Sequence, residues 1–327
     1  MTEGESADAV GADSGDQGWS NTRTWVEKGL REGDRIRAVE PLRGGWTSQM
    51  RRLDIEGRDE SYSLVLRSFV RAFFVKHAQG LLTREADVLR LLAHTSVPVA
   101  SLHGVDAGAE YCDHPSLLMS LLPGRVRLDE EDVERRIELL ARQLVDIHEL
   151  VVPAQAQPRA YQAWTAPERV RLPEKTERPE LWRRAVDVIR RDAPPYRPCF
   201  LHRDFHPGNV LFTGRGSGLA VAGVVDWVET SWGPADLDVA HCSTALALLH
   251  GARAGMRLAG AYVAAGGRLS EDPTAHLYWR LLDALAFAPD AEKVAVPWRE
   301  LGRHDLTPAV LTQRLEDYLH ELFSHYA

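Results

Sequence analysis

Apolar and polar residues alternate with a period of two along 35–42, 49–55 and 61–69, and the last two runs flank the polar turn Glu56-Gly57-Arg58-Asp59. That alternation marks strands with one buried face, and three such runs in succession predict an antiparallel meander. A short helix is predicted ahead of them, over 19–31. Between 83 and 93 the period lengthens. Leu82, Ala86, Leu89 and Ala93 fall on one helical face, and Val97-Pro98-Val99 ends the run. Two further strands are predicted at 101–107 and 116–122, closing at Pro123-Gly124.

Beyond this point helical spacing dominates. The stretch 129–150 opens on an acidic first turn and turns Ile137, Leu140, Leu144 and Ile147 inward. Residues 151–179 are proline-rich and irregular, and 179–191 is again helical. A strand–loop–strand unit occupies 199–227, and helices follow at about 235–249, 252–265, 271–288 and 308–325. The expectation is an α+β, bilobal architecture. A small antiparallel β N-lobe with one helix spans 19–122, and a large α-helical C-lobe spans 123–327.

Composition refines the picture without changing it. Of the 327 residues, 44% are hydrophobic and 26% charged, as in soluble globular proteins, and the length suits two lobes sharing a cleft. No apolar run approaches the roughly 20 residues that span a bilayer. No basic-then-apolar leader opens the chain, so no membrane role is expected. Cys112, Cys199 and Cys242 lie far apart, which fits a reducing, cytoplasmic setting. The net charge of −8 is concentrated at the front, where Glu3, Glu5, Asp8, Asp13 and Asp16 meet no Lys or Arg. Residues 1–18 therefore read as a disordered acidic tail. The mildly acidic remainder offers no basic face for nucleic acid.

The candidate chemistry sits in His202-Arg203-Asp204-Phe205-His206-Pro207-Gly208-Asn209, followed at the end of a short apolar strand by Asp226-Trp227. A carboxylate, a neutral amide oxygen on the same loop and a second carboxylate are what phosphoryl transfer uses. Asp204 can accept a proton from a hydroxyl, while Asn209 and Asp226 offer oxygen ligands to a hard cation. A Gly44-Gly45 turn followed by Trp46-Thr47-Ser48 lies between the first two strands, where backbone N–H groups can approach phosphate oxygens.

The stretches LHRDFHPGNVLF and GVVDW closely resemble the aminoglycoside phosphotransferase family of small-molecule kinases. LLTREADVLRLLAHTSVPVASLHGV, LLMSLLPG and ARQLVDIHEL are similar to the family's corresponding segments, so the resemblance covers about 35–325. It implies a protein-kinase-like fold, ATP or GTP with Mg²⁺, and transfer of a phosphoryl group to a hydroxylated small molecule by a monomer or homodimer. By the same resemblance Asp204 is the base, and Asn209 and Asp226 are the Mg²⁺ ligands. Glu85 is the helix glutamate that pairs with a strand cation. That cation is Arg67, a departure from the lysine of many relatives, with Lys76 as the alternative; the chain holds only four lysines against 35 arginines. Gly44, Gly45 and Ser48 would cover the phosphates, and the backbone of Ser120 to Leu122 would line the adenine pocket. Asp238 would support the catalytic loop, with His202 packed in that loop. His206, Asp236 and Trp232 are candidates to touch the acceptor, although Asp236 also suits a helix N-terminus and Trp232 a cleft wall.

Three readings compete. A metal-dependent hydrolase would use His202, Asp204 and His206 with Asp226, Asp238 and His241, but it leaves Pro207-Gly208-Asn209 and the β-rich lobe without a role. An inactive kinase-fold binding module is argued only by Arg67. A kinase is the reading adopted. Its acceptor is expected to be an antibiotic of nucleoside, macrolide, peptide or aminoglycoside class. A metabolic sugar or amino alcohol is the alternative. The weak overall acidity favours an acceptor less cationic than an aminoglycoside.

Overall fold

The computed structural model describes residues 18–42 and 48–327. The proposed tail, apart from Gly18, and the Gly44-Gly45 turn lie outside the described residues. Helix α1 (Ser20–Gly29) precedes β1 (Arg35–Leu42), β2 (Gln49–Glu56) and β3 (Ser61–Ser68), which pair antiparallel as the alternation requires. β4 (Leu102–Asp106) and β5 (Ser116–Ser120) extend the meander into a five-stranded sheet of order β1-β2-β3-β5-β4. One face packs Leu53, Ile55, Leu64, Leu66 and Leu118 against Trp19 and Val26 of the α1 segment. Helix α2 (Ala72–Leu92) brings Leu82, Ala86 and Leu89 into the main core with Val65.

That helix starts at Ala72, well ahead of the predicted 83. Its first turns escape the pattern because Gly80 interrupts the run and Phe73 is 69% exposed, so no apolar stripe marks them.

The rest is mainly helical: α3 (Val133–His148), α4 (Pro179–Ile189), α5 (Ala235–His250), α6 (Ala252–Ala264), α7 (Pro273–Ala284), α8 (Glu292–Glu300) and α9 (Pro308–Tyr326). Short strands carry the loops, namely β6 (Arg125–Val126), β7 (Pro198–Leu201), β8 (Val210–Thr213), β9 (Ala220–Val224) and β10 (Ser231–Pro234). β6, β8 and β9 form one antiparallel sheet, and β7 pairs with β10. Neither α8 nor β10 was expected. The first contains Pro297, and the second reads Ser-Trp-Gly-Pro, so both carry residues that normally interrupt their class.

Helix α5 is the organising element. Every residue from Ala235 to Leu249 is buried, including Asp236, Asp238 and His241. Buried polar groups of this kind need partners, and those partners define the site. Among the described residues no helix is long and apolar enough to cross a membrane.

Candidate active site

β7 delivers the chain into the loop at His202, and the loop is fixed from below. The carboxylate of Asp238 accepts the backbone N–H groups of His202 and Arg203, each at 2.8 Å. This permits the left-handed conformation of Arg203 (φ 76°), which costs about 1–2 kcal/mol without such support. Asp238 is itself held by His148 Nε2 at 3.2 Å, and His148 Nδ1 lies 2.8 Å from the Tyr262 hydroxyl. Burial opposes its charge, but the His148 bond and the surrounding cations keep its pKa below the usual carboxylate range. His202 is fully buried, and burial pushes its pKa down. It therefore donates from Nε2 to Val225 O (3.0 Å) and accepts the Asp204 N–H at Nδ1 (3.3 Å).

Asp204 is gripped on both carboxylate oxygens. Asn209 Nδ2 donates to Oδ2 at 3.1 Å and to the Asp204 backbone oxygen at 2.9 Å. The Asn209 amide oxygen is thereby turned away from Asp204 and left for another ligand. His241 Nε2 lies 3.1 Å from Asp204 Oδ1, while His241 Nδ1 lies 3.0 Å from Asp283 Oδ1. An imidazole between two carboxylates donates from both nitrogens and is therefore a cation. Burial acts against that charge, yet the Asp283 carboxylate and the two hydrogen bonds raise its pKa to about 9. Asp204 responds in kind. Burial alone would raise its pKa, but the His241 bond and the nearby histidines drive it far below the carboxylate range.

The second carboxylate reaches the same cluster. The N–H of Val225 donates to Asn209 O at 3.0 Å, so β9 ends beside the loop, and Asp226 turns out of it in a left-handed conformation (φ 67°). Arg67 Nη1 donates to Asp226 Oδ1 at 3.1 Å and to both Glu85 oxygens at 3.0 Å. Arg67 Nε donates to Ser48 Oγ at 3.1 Å. Asp226, Arg67, Glu85 and Ser48 thus form one connected polar chain, and the Val225 backbone bond sets its Asp226 end beside the loop that carries Asp204 and Asn209. Lys76 lies exposed on the opening turns of α2.

His206 sits 4.0 Å from Asp204 Oδ1, and its Nδ1 accepts the Gly208 N–H at 3.0 Å. A Cβ on Gly208 would stand 2.6 Å from His206 Cε1, which explains the glycine. Burial, reinforced by cationic His241, lowers the His206 pKa to about 4 and keeps it neutral. Ser120 Oγ accepts the Ser101 N–H at 2.9 Å, and Leu122 packs against Gly223 of β9, where an added Cβ would meet its Cδ1 at 2.7 Å.

Trp232 and Asp236 are not brought to the Asp204 cluster. They line a separate cavity of about 760 Å³ with His148, Tyr262 and Cys199. The reason is helical geometry: positions 236 and 238 lie about 200° apart around α5, whereas 238 and 241 share a side. Two functional neighbours, Asp283 and the cationic state of His241, went unseen because their partners are distant in sequence. The six residues considered for a hydrolase separate likewise. Asp238 faces the backbone of His202 and Arg203, and Asp226 belongs to Arg67. Asp204, His206 and His241 hold ligand atoms within 4.8 Å of one another, but both His241 nitrogens are already engaged by carboxylates.

An antiparallel sheet set beside a helical body, with this loop at their junction, defines a kinase-like phosphotransferase. The chain belongs to the phosphotransferase enzyme family (APH), whose family model matches residues 38–282. Solved structures of similar fold include the GDP and kanamycin complex of APH(2")-IIia, at 14% identity and TM-score 0.59, covering 94% of this chain and 99% of that one. The apoenzyme of macrolide 2'-phosphotransferase MphH from Brachybacterium faecium aligns at 16% identity and TM-score 0.53, covering 89% and 97%. Amicoumacin kinase hAmiN, in complex with AMP-PNP, Ca²⁺ and Ami, aligns at 11% identity and TM-score 0.57, covering 92% and 93%. At such identities the likeness establishes the fold. Among curated proteins no sequence matches this chain.

Proposed function

We propose that this phosphotransferase moves the γ-phosphoryl group of ATP or GTP to a hydroxyl of a small-molecule antibiotic. The observation that carries the reading is the doubly held Asp204, with Asn209 and Asp226 beside it. Support comes from the fold's relatives, which are complexed with GDP and kanamycin or with AMP-PNP, Ca²⁺ and Ami.

Asp204 orients the acceptor hydroxyl and takes its proton as the bond to phosphorus forms. Its low basicity suits a loose transition state, in which the proton leaves late and positioning matters more than base strength. His241, held cationic by Asp283, keeps Asp204 ionised and in one rotamer; it acts through Asp204 as a positioning residue. The Asn209 amide oxygen and the second Asp226 oxygen are hard donors that fit Mg²⁺. When bound there, Mg²⁺ neutralises charge on the phosphates. Arg67 and Ser48 serve the nucleotide's phosphates, Glu85 orients Arg67, and the backbone of Ser120 to Leu122 holds the base. These roles divide the chain into a nucleotide-holding part up to residue 122 and an acceptor-holding part after it.

The test is a screen of the purified chain with Mg²⁺ and γ-labelled ATP or GTP over antibiotics, sugars and amino alcohols. Label on an acceptor hydroxyl is the expected result. Absence of Mg²⁺-dependent nucleotide binding would end the proposal.

A further inference from the structure

A second opening, of about 560 Å³, lies beside the catalytic loop between α2, the 159–169 segment and the turn at 229–231. Its charge is unbalanced. Arg84, Arg159, Arg169 and Arg203 line it against a single carboxylate, Glu229. That carboxylate is already committed to Arg159 at 2.7 Å. Arg84 donates only to a neutral group, Val228 O, at 2.7 Å. The Arg169 guanidinium makes no hydrogen bond or ion pair among the described residues, and only its backbone N–H is engaged, by Ala166 O. Arg203 is 3% exposed, and its guanidinium stacks 4.1 Å from the Trp164 ring centroid. One of its nitrogens reaches Gln162 O at 3.2 Å, while Nε and Nη1 have no partner. Burial, then the neighbouring Arg159, pulls the Arg84 pKa down. Arg203 also feels the charges of Asp283, Asp238 and Asp204, but Arg84, Arg159 and Arg169 at the cavity share only Glu229, and guanidinium groups gathered this way repel one another unless an anion joins them.

The cavity is coupled to the reaction centre through Trp164. That ring carries Arg203 on its face and meets the His241 ring at 4.8 Å, and His241 holds Asp204. Arg169 also bears on Lys293, which feels the charges of Asp283 and Asp204. Arg67, Asn209 and Asp226 are not among the cavity's lining, so the proposed nucleotide phosphates belong elsewhere; Asp204 is not among it either, and an acceptor would reach it past Trp164.

We infer that this arginine-lined cavity receives an oxyanion, a carboxylate or phosphate, carried by the acceptor whose hydroxyl lies at Asp204. The guanidinium fork matches two oxygens of such a group. A polycationic aminoglycoside would meet the wrong sign of charge here. The inference rests on the kinase reading for its hydroxyl, but the anion site can be measured without it.

Two measurements on the full chain decide the matter. The first is calorimetric titration with inorganic phosphate at low ionic strength, with Mg²⁺ and a non-hydrolysable nucleotide present. One saturable site is expected, weakened at least tenfold in an Arg84→Gln/Arg169→Gln double variant and unchanged in Arg190→Gln, an exposed residue at the C-terminal end of α4 that does not line the cavity. No saturable binding, or equal binding in all three proteins, overturns the inference. The second compares acceptors that differ by one carboxylate or phosphate. A kcat/KM at least tenfold higher for the acidic member is expected, with the ratio collapsing in Arg169→Gln. Phosphate binding with no preference between paired acceptors would make the anion a free effector and overturn the assignment to the acceptor. Failure of Mg²⁺–nucleotide binding would remove the kinase reading while the phosphate titration still judged the cavity.

Discussion

Replacing Asp283 by Asn tests how Asp204, the proposed base, is held. The substitution keeps the shape of the side chain but removes the charge that most strongly favours cationic His241, 3.0 Å away. An opposite charge at that distance is worth about 1–3 pKa units, so His241 should titrate between about 6 and 8 instead of near 9. At pH 8 the variant's imidazole is then half or more neutral. Its bond to Asp204 changes from charge-assisted to ordinary, a difference of about 1 kcal/mol or about fivefold in kcat. At pH 6 both proteins carry the cation, and their rates should converge. The stability consequence has a definite sign. A folded-state pKa of about 9 stands above the unfolded value of 6.5, so the contribution is full below pH 6.5 and fades as pH rises through 9. Over that window it amounts to about 3 kcal/mol at most in the wild type, and less in the variant. Imidazole resonances followed by NMR give the pKa directly, and kcat measured from pH 6 to 9.5 gives the catalytic effect. A wild-type His241 titrating near 6.5 would refute the reasoning. So would an unchanged kcat profile in a variant whose His241 has demonstrably shifted.

Other changes probe the remaining parts. Asp204→Asn should keep nucleotide affinity while transfer falls roughly 10²- to 10⁴-fold; single-turnover kinetics with labelled nucleotide would show it. Asp226→Asn should abolish the Mg²⁺ dependence of nucleotide binding seen by calorimetry, because one of two hard ligands loses its charge. Arg67→Ala leaves Glu85 buried without its cation and should cost about 3–5 kcal/mol in chemical denaturation, in addition to weakening nucleotide binding. Gly208→Ala should lower the unfolding free energy in chemical denaturation by about 1–3 kcal/mol through the clash with His206, and a neutral outcome would show that the histidine yields easily.

Much of this site could be read from the chain because its members are either adjacent or locked to a regular spacing. Asp204 and Asn209 share one turn, so no tertiary knowledge is needed to bring their side chains together. The Arg67–Glu85 pair was legible only through the family resemblance, because a partner eighteen residues away on another element leaves no local pattern. Asp238 was legible as loop support, but its backing by His148 and Tyr262 was not, because those residues lie on α3 and α6 and look like ordinary core positions. His241 and Asp283 share the difficulty. Their pairing depends on how α5 crosses α7, which no local pattern encodes. Asp236 lies in the first turn of α5, as its helix-N-terminus reading has it, and apart from Asp204, because proximity in sequence to Asp238 says nothing about facing the same side of a fully buried helix. The opening turns of α2 and all of α8 were missed where glycine, proline or exposed aromatic residues mask a helix that packing imposes.

The position of Arg67 has one more consequence. A guanidinium that already bridges the glutamate of α2 and the carboxylate that follows β9 supplies positive charge at the junction on its own account. Chelation should therefore silence the enzyme without loosening its architecture. A protein that keeps its cleft assembled in the absence of metal can wait, intact, for nucleotide and acceptor to meet there.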